Sequence, residues 1–219
     1  MGRKKIALIH TSLVSYDVLK GLFAEIIPEA DTVNIIDESL LAEVSANGGL
    51  TPGVINRMHA YVQNAASLGV DLIFNQCSSV GEAFDLALRA VSTPGLKIDT
   101  DMAEKAVAAG NTVAVVATVG STVAPSVGLV EAAGKRAGKN VTAKPYLVDG
   151  ALAMLMGGDR AKHDALVYDA VAKAVSECDA VVLAQGSMFG MLPKFADMKK
   201  PVFASPRLGV ERARKELGL

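Results

Sequence analysis

The chain has 219 residues, 51% of them hydrophobic, which is enough for a sizeable core in one large or two small domains and excludes a disordered chain. Lys+Arg 22 against Asp+Glu 23 leaves a net charge of -1, without the basic excess that nucleic acid or an anionic membrane surface requires. Glycines and charges interrupt every apolar stretch before the roughly 18 residues of a membrane span, and Ile6–Ile9 is shorter than the roughly 7 to 15 residues of a signal h-region. Two cysteines at this size suit a reducing compartment, so a soluble cytoplasmic protein without a disulfide framework is expected.

Short Val/Ile/Leu-rich runs alternate with longer Ala-rich segments of helical period, the rhythm of an α/β fold with parallel strands covered on both faces. In chain order the predicted strands are Lys5–His10, Thr32–Ile36, Asp71–Asn75, Thr112–Ala117, Asn140–Pro145, Ala180–Ala184 and Pro201–Ala204. The predicted helices are Ser15–Ile27, Thr51–Leu68, Gly81–Val91, Asp101–Ala109, Val123–Ala137, Arg160–Glu177 and Pro206–Leu217. Arg57 and His59 lie with Tyr61 on the second of these helices, where either a cleft or solvent is open to them, and solvent is the expectation. The Gly-rich stretch Ala46–Gly53 reads as a loop before that helix and is a candidate lid.

An internal repeat organises the chain. Lys5–Thr11 aligns with Thr112–Thr118 at an offset of 118 − 11 = 107, and Asp71–Ser79 aligns with Asp179–Ser187 at an offset of 185 − 77 = 108. Both matches end where an apolar strand turns polar, which is where open α/β sheets place their ligands. Cys77 sits at one such tip, ahead of Ser78-Ser79-Val80-Gly81 and the start of a helix, where free N–H groups and the helix dipole favour a thiolate or an anion. Read without that context it is a small buried hydrophobe; its polar flanks Asn75, Gln76, Ser78 and Ser79 favour function. Thr118-Val119-Gly120-Ser121-Thr122 offers hydroxyls and backbone donors to a carboxylate, or an ordinary N-cap at Ser121 or Thr122. His10-Thr11-Ser12 is the equivalent tip of the first repeat. Cys178 lies at a helix end and reads as structural. His10, His59 and His163 lack metal-ligand spacing, and neither GxGxxG nor GxxxxGK[ST] occurs, so neither a metal nor a nucleotide is expected.

These residues resemble the Asp/Glu/hydantoin racemase superfamily, which also holds arylmalonate decarboxylase and maleate isomerase. Gly69–Gly81 is similar to the first catalytic-cysteine motif, Ile98–Ala106 to the segment leading into the central strand, and Val113–Thr122 to that strand and its substrate loop. The resemblance implies two pseudo-symmetric Rossmann-like α/β lobes with parallel four-stranded sheets and an active-site cleft between them. The first lobe would span 1–112 plus 205–219 and the second 113–204. It further implies cofactor-independent chemistry by two cysteines and a homo-oligomer. Cys77 matches the first cysteine, whereas the repeat puts Gln185 at the place of the second. The catalytic candidates are therefore Cys77 and Gln185, and the substrate-binding candidates are Thr11, Ser12, Asn75, Ser78, Ser79, Thr118, Gly120, Ser121, Thr122, Gly186 and Ser187.

Gln185 donates and accepts hydrogen bonds but has no accessible pKa for relaying a proton. Three readings follow: an isomerase acting on a small carboxylic acid through Cys77, a one-cysteine decarboxylase, or a non-catalytic protein that binds small acids. Ser187, His10 or water would have to stand in for the second base if stereoinversion survives.

Overall fold

The computed structural model describes residues 2–219. The chain divides into two compact units, one made of the residues up to Ile98 together with Pro206–Leu219, the other of Asp99–Ser205.

The first unit contains β1 (Lys4–His10), α1 (Tyr16–Ile26), β2 (Ala30–Ile36), α2 (Glu38–Asn47), α3 (Pro52–Ser67), β3 (Leu72–Asn75), a 3-10 turn at Ser78–Val80, α4 (Gly81–Leu88) and β4 (Gly95–Lys97). Its parallel strands run in the order β2-β1-β3-β4. Ala7, Ile9 and Ile73 face a core completed by Val54, Met58 and Val62 of α3 and Phe84 of α4. Phe23 of α1 meets Phe74 edge-on, with ring centroids 5.5 Å apart, a favourable aromatic geometry.

The second unit contains α5 (Thr100–Ala109), β5 (Thr112–Ala117), α6 (Gly120–Arg136), β6 (Thr142–Leu147), α7 (Ala151–Met156), α8 (Arg160–Glu177), β7 (Ala180–Leu183), a 3-10 segment at Gly186–Phe195 and β8 (Val202–Ala204). Its order, β6-β5-β7-β8, repeats the first sheet. The helix α9 (Ser205–Glu216) follows and lies almost wholly in the first unit. The α/β architecture with two parallel four-stranded sheets is thus established.

The boundary between the units falls at Ile98/Asp99 rather than after residue 112, because α5 packs against α6, β7 and β8 of the second unit. Two helices and a strand lie outside the sequence prediction, α2, α7 and β4, and so does the 3-10 segment Gly186–Phe195. Half of the stretch 46–53 is helical, residues 46–47 closing α2 and 52–53 opening α3, which leaves a four-residue turn 48–51 closed by Gly48 at φ 68° and by Thr51, whose hydroxyl accepts from Val54 N–H. A left-handed C-cap of this kind favours glycine. That geometry is a tight helix-to-helix connection, not a long loop.

The repeat also fixes the strand starts. Asp71 Oδ2 accepts from Lys5 N–H at 2.8 Å, and Asp179 Oδ2 accepts from Asn111 and Thr112 N–H at 3.0 Å each. A carboxylate ahead of the third strand of each sheet therefore clamps the start of the first strand.

Candidate active site

In each sheet the strand order reverses at the neighbouring pair β1/β3 or β5/β7, the switch point where an open α/β sheet leaves a crevice. Ile9 pairs with Asn75 in the first sheet and Val116 with Leu183 in the second. Two residues further along each chain stand Thr11 and Cys77 in one unit, Thr118 and Gln185 in the other. The repeat thus places chemically different residues at equivalent registers.

Cys77 is a free thiol on a half-buried residue. Burial pushes its pKa up, and the Thr11 hydroxyl, the N–H groups of Ser79 and Val80 and the Ser79 hydroxyl pull in the opposite direction without overcoming it. The sequence reading of a helix-start thiolate is corrected accordingly: the donors are present, but desolvation wins, and the resting group is a thiol. Asn75 is fully buried, and its amide braces the Cys77 peptide, Nδ2 donating to Cys77 O at 2.9 Å and Oδ1 accepting from Cys77 N–H at 3.4 Å. Ser12 Oγ accepts from Val14 N–H at 3.1 Å and shapes the loop after β1. Ser78 and Ser79 form the 3-10 turn that follows Cys77.

His10 lies beneath this tip, 1% exposed, with Nε2 2.9 Å from Asn34 Oδ1 and its ring 5.6 Å from Tyr16. Burial lowers its pKa despite the Asn34 contact. An amide oxygen only accepts, so Nε2 carries the hydrogen.

In the second unit Thr118 N–H donates to Gln185 Oε1 at 2.9 Å, and the Thr118 hydroxyl lies 3.4 Å from the same oxygen. A backbone N–H can only donate, so the amide orientation is fixed and Nε2 points the other way. That nitrogen is buried and has no hydrogen-bond partner among the described residues. The helix α6 begins at Gly120 behind Val119, which provides no side-chain cap. Ser121 and Thr122 therefore sit inside its first turn, not at the cap. Gly186 and Ser187 open the 3-10 segment directly after Gln185.

Arg57 and Tyr61 do not face solvent freely. Arg57 donates to Glu43 Oε2 at 2.5 Å and to Ser39 Oγ at 3.0 Å, while Tyr61 donates to Asp37 Oδ2 at 2.8 Å. Burial works to raise the Asp37 pKa, but Ser39, Tyr61 and Arg57 together hold it below the ordinary range. This network joins α2 to α3, and α2 in turn packs on the Ser78–Val80 turn. Helical spacing on α3 was legible, but the partner face was not, because α2 went unpredicted. Cys178 is buried in the second core, 3.8 Å from the Tyr146 hydroxyl.

No group of three His, Cys, Asp or Glu is placed to hold a metal ion among the described residues. Nor is any helix among them long and apolar enough to cross a membrane. A groove of about 430 Å³ between Val107 and Ala108 of α5 and Ala133 and Arg136 of α6 opens at the opposite end of the strands from these tips. Its bordering Lys139 is already engaged, donating to Val107 O at 2.7 Å.

A search of curated proteins found no match. Among solved structures, aspartate racemase from Picrophilus torridus superposes with a TM-score of 0.70 at 15% identity, covering 98% of this chain and 94% of that one. Glutamate racemase from Francisella tularensis, solved with D-glutamate, gives 0.73 at 14% identity over 100% and 82% of the two chains. Allantoin racemase from Klebsiella pneumoniae gives 0.66 at 17% identity over 99% and 89%. At such identities these likenesses speak for the fold. The family model for Asp/Glu/hydantoin racemase matches residues 9–213, a span that holds Thr11, Cys77, Thr118 and Gln185. The chain therefore belongs to the Asp/Glu/hydantoin racemase family.

Proposed function

We propose that the protein is a cysteine-dependent isomerase that moves a proton at a carbon of a small carboxylic acid, with Cys77 as the proton-transfer group. The observation that carries this reading is the setting of Cys77: a thiol at a sheet switch point, braced by Asn75 and met by donors from Thr11, Ser79 and Val80. A structural cysteine needs none of these. Removing a proton from the carbon next to a carboxylate leaves an enolate-like anion, which catalysis must stabilise with preorganised donors. In this reading the second unit offers substrate its own set of donors: Gln185 Nε2, the Thr118 side chain and the openings of α6 at Gly120–Thr122 and of the 3-10 segment at Gly186–Ser187. Each such donor is worth about 3 to 4 kcal/mol in a site of this type. Thr11, Ser12, Ser78 and Ser79 line the Cys77 side.

One observation favours a second reading. Gln185 spends its oxygen on Thr118 and has no proton to relay, so chemistry from the Cys77 side alone fits a decarboxylase. There the carboxylate leaves as carbon dioxide, its bonding pair stays on carbon, and the Cys77 thiol delivers the proton that solvent then replaces.

The test is incubation in deuterated water with a panel of small amino, hydroxy and dicarboxylic acids, following the carbon-bound proton by NMR together with chirality. Deuterium incorporation that disappears in Cys77→Ala is expected. Incorporation with inversion supports the isomerase, and carbon dioxide release supports the decarboxylase. Full turnover in Cys77→Ala would overturn both.

A further inference from the structure

The segment carrying Gly186–Phe195 is ten residues of 3-10 conformation, whereas such runs rarely exceed about 3 to 4 residues because their hydrogen-bond geometry is poor. It needs support from outside, and α8 provides it. Asp164 Oδ2 pairs with Lys194 Nζ at 2.8 Å, near the far end of the segment. The other oxygen of the same carboxylate, Oδ1, lies 2.9 Å from His163 Nδ1. A carboxylate offers only acceptors here, so Nδ1 carries the hydrogen. His163 is fully buried and cannot shift without opening the core, and the Asp164 side chain is 14% exposed. One turn along, Tyr168 stacks on Phe195 with centroids 5.8 Å apart and planes 21° from parallel. Arg160 Nη2 reaches Ser187 O at 3.5 Å, at the near end.

The segment starts at Gln185, whose amide is held from the other side by Thr118 N–H. We infer that Asp164 is a positioning residue for Gln185: by bridging the buried His163 to Lys194 it clamps the 3-10 segment to α8 and thereby fixes where the Gln185 amide stands. The inference rests on the reading of Gln185 as a donor to substrate. The carboxylate of this bridge is little exposed although Lys194 is half exposed, and a carboxylate shared by two donors on two elements ties both through charge-assisted hydrogen bonds. The cluster stands apart from the proton-transfer step and acts through Gln185.

The experiment labels glutamine side chains selectively with nitrogen-15 in the full-length protein. The chain has only three glutamines, Gln63, Gln76 and Gln185, and the Gln185 signal pair is the one lost in Gln185→Leu. In the unmodified protein that pair is well dispersed and exchanges slowly with solvent. In Asp164→Asn and in Lys194→Met its exchange becomes about tenfold faster, the readout of a local opening, while the Gln63 and Gln76 pairs are unchanged; Lys194→Arg restores slow exchange. Unchanged Gln185 exchange in Lys194→Met overturns the inference, and because Lys194 is half exposed that variant reads the clamp even if Asp164→Asn fails to fold. The underlying reading fails separately: if Gln185→Leu keeps full turnover in the deuterium assay, Gln185 is not a donor to substrate, whatever its exchange shows.

Discussion

A thiol at the start of a helix and a thiol in an apolar pocket are pulled in opposite directions, and Cys77 experiences both pulls. Desolvation prevails over Thr11, Ser79 and Val80, so the group keeps its proton at neutral pH and ionises above the ordinary thiol value of about 8.5. Alkylation of Cys77 by iodoacetamide, measured against pH in a Cys178→Ser background, should follow a single curve with its midpoint above that value. Thr11→Val, which removes the strongest opposing donor, should move the midpoint further up. A midpoint at or below the ordinary value would sink this account. The stability linkage has the matching sign: a raised thiol pKa contributes stability that is complete below the unfolded value and lost as pH rises through the folded one. The position of this residue was legible from its polar flanks and the repeat. Its ionisation was not, because the outcome depends on how many apolar side chains close over the sulfur, and a linear sequence does not count them.

Among the elements, those with long runs of one period were legible, and those decided by tertiary contact were not. The strand β4 is three residues long, and Gly95 at its start lies close against the Leu88 side chain. The helix α2 did carry a signal, Asp37 as N-cap with Leu40 and Val44 one turn apart on its buried face, but the glycines after it drew the stretch into a loop. The clamp between α8 and the 3-10 segment joins residues 30 apart in sequence and has no local signature. The last helix offers a direct test of close packing. A Cβ on Gly209 of α9 would lie 2.5 Å from Ile98 O and 3.1 Å from Ile98 Cα, backbone atoms that cannot rotate away. Ala is intrinsically favoured over Gly in a helix by about 1 kcal/mol, yet overpacking costs typically about 1 to 3 kcal/mol. Gly209→Ala should therefore lower the urea midpoint at neutral pH. A midpoint equal to or above the parent's would show that α9 is free to move away from the end of β4.

Across the whole molecule, the offsets near 107 and 108 residues that align the two repeats also align their structural carboxylates, Asp71 and Asp179, so one device for clamping strand starts is used twice while the tips have diverged into Cys77 and Gln185. This arrangement predicts how the protein fails in acid. The Asp71 carboxyl is held below its ordinary pKa by Lys4 and then by Lys5 N–H, and that of Asp179 by Thr112 and Asn111 N–H. Such groups contribute stability that is present above the unfolded value of about 3.9 and is lost as pH falls through the lowered native value. His10 behaves alike in sign but at higher pH: burial lowers its pKa, so its contribution is complete above the unfolded value of about 6.5 and disappears as the ring is forced to charge. Thermal midpoints measured from pH 8 downwards should hold steady, begin to decline below about pH 6.5, and decline again below about pH 4. His10→Gln should abolish the first decline and leave the second, because glutamine fills the site without a proton to gain. A first decline that survives in His10→Gln would transfer that step to another group and remove His10 from the acid response.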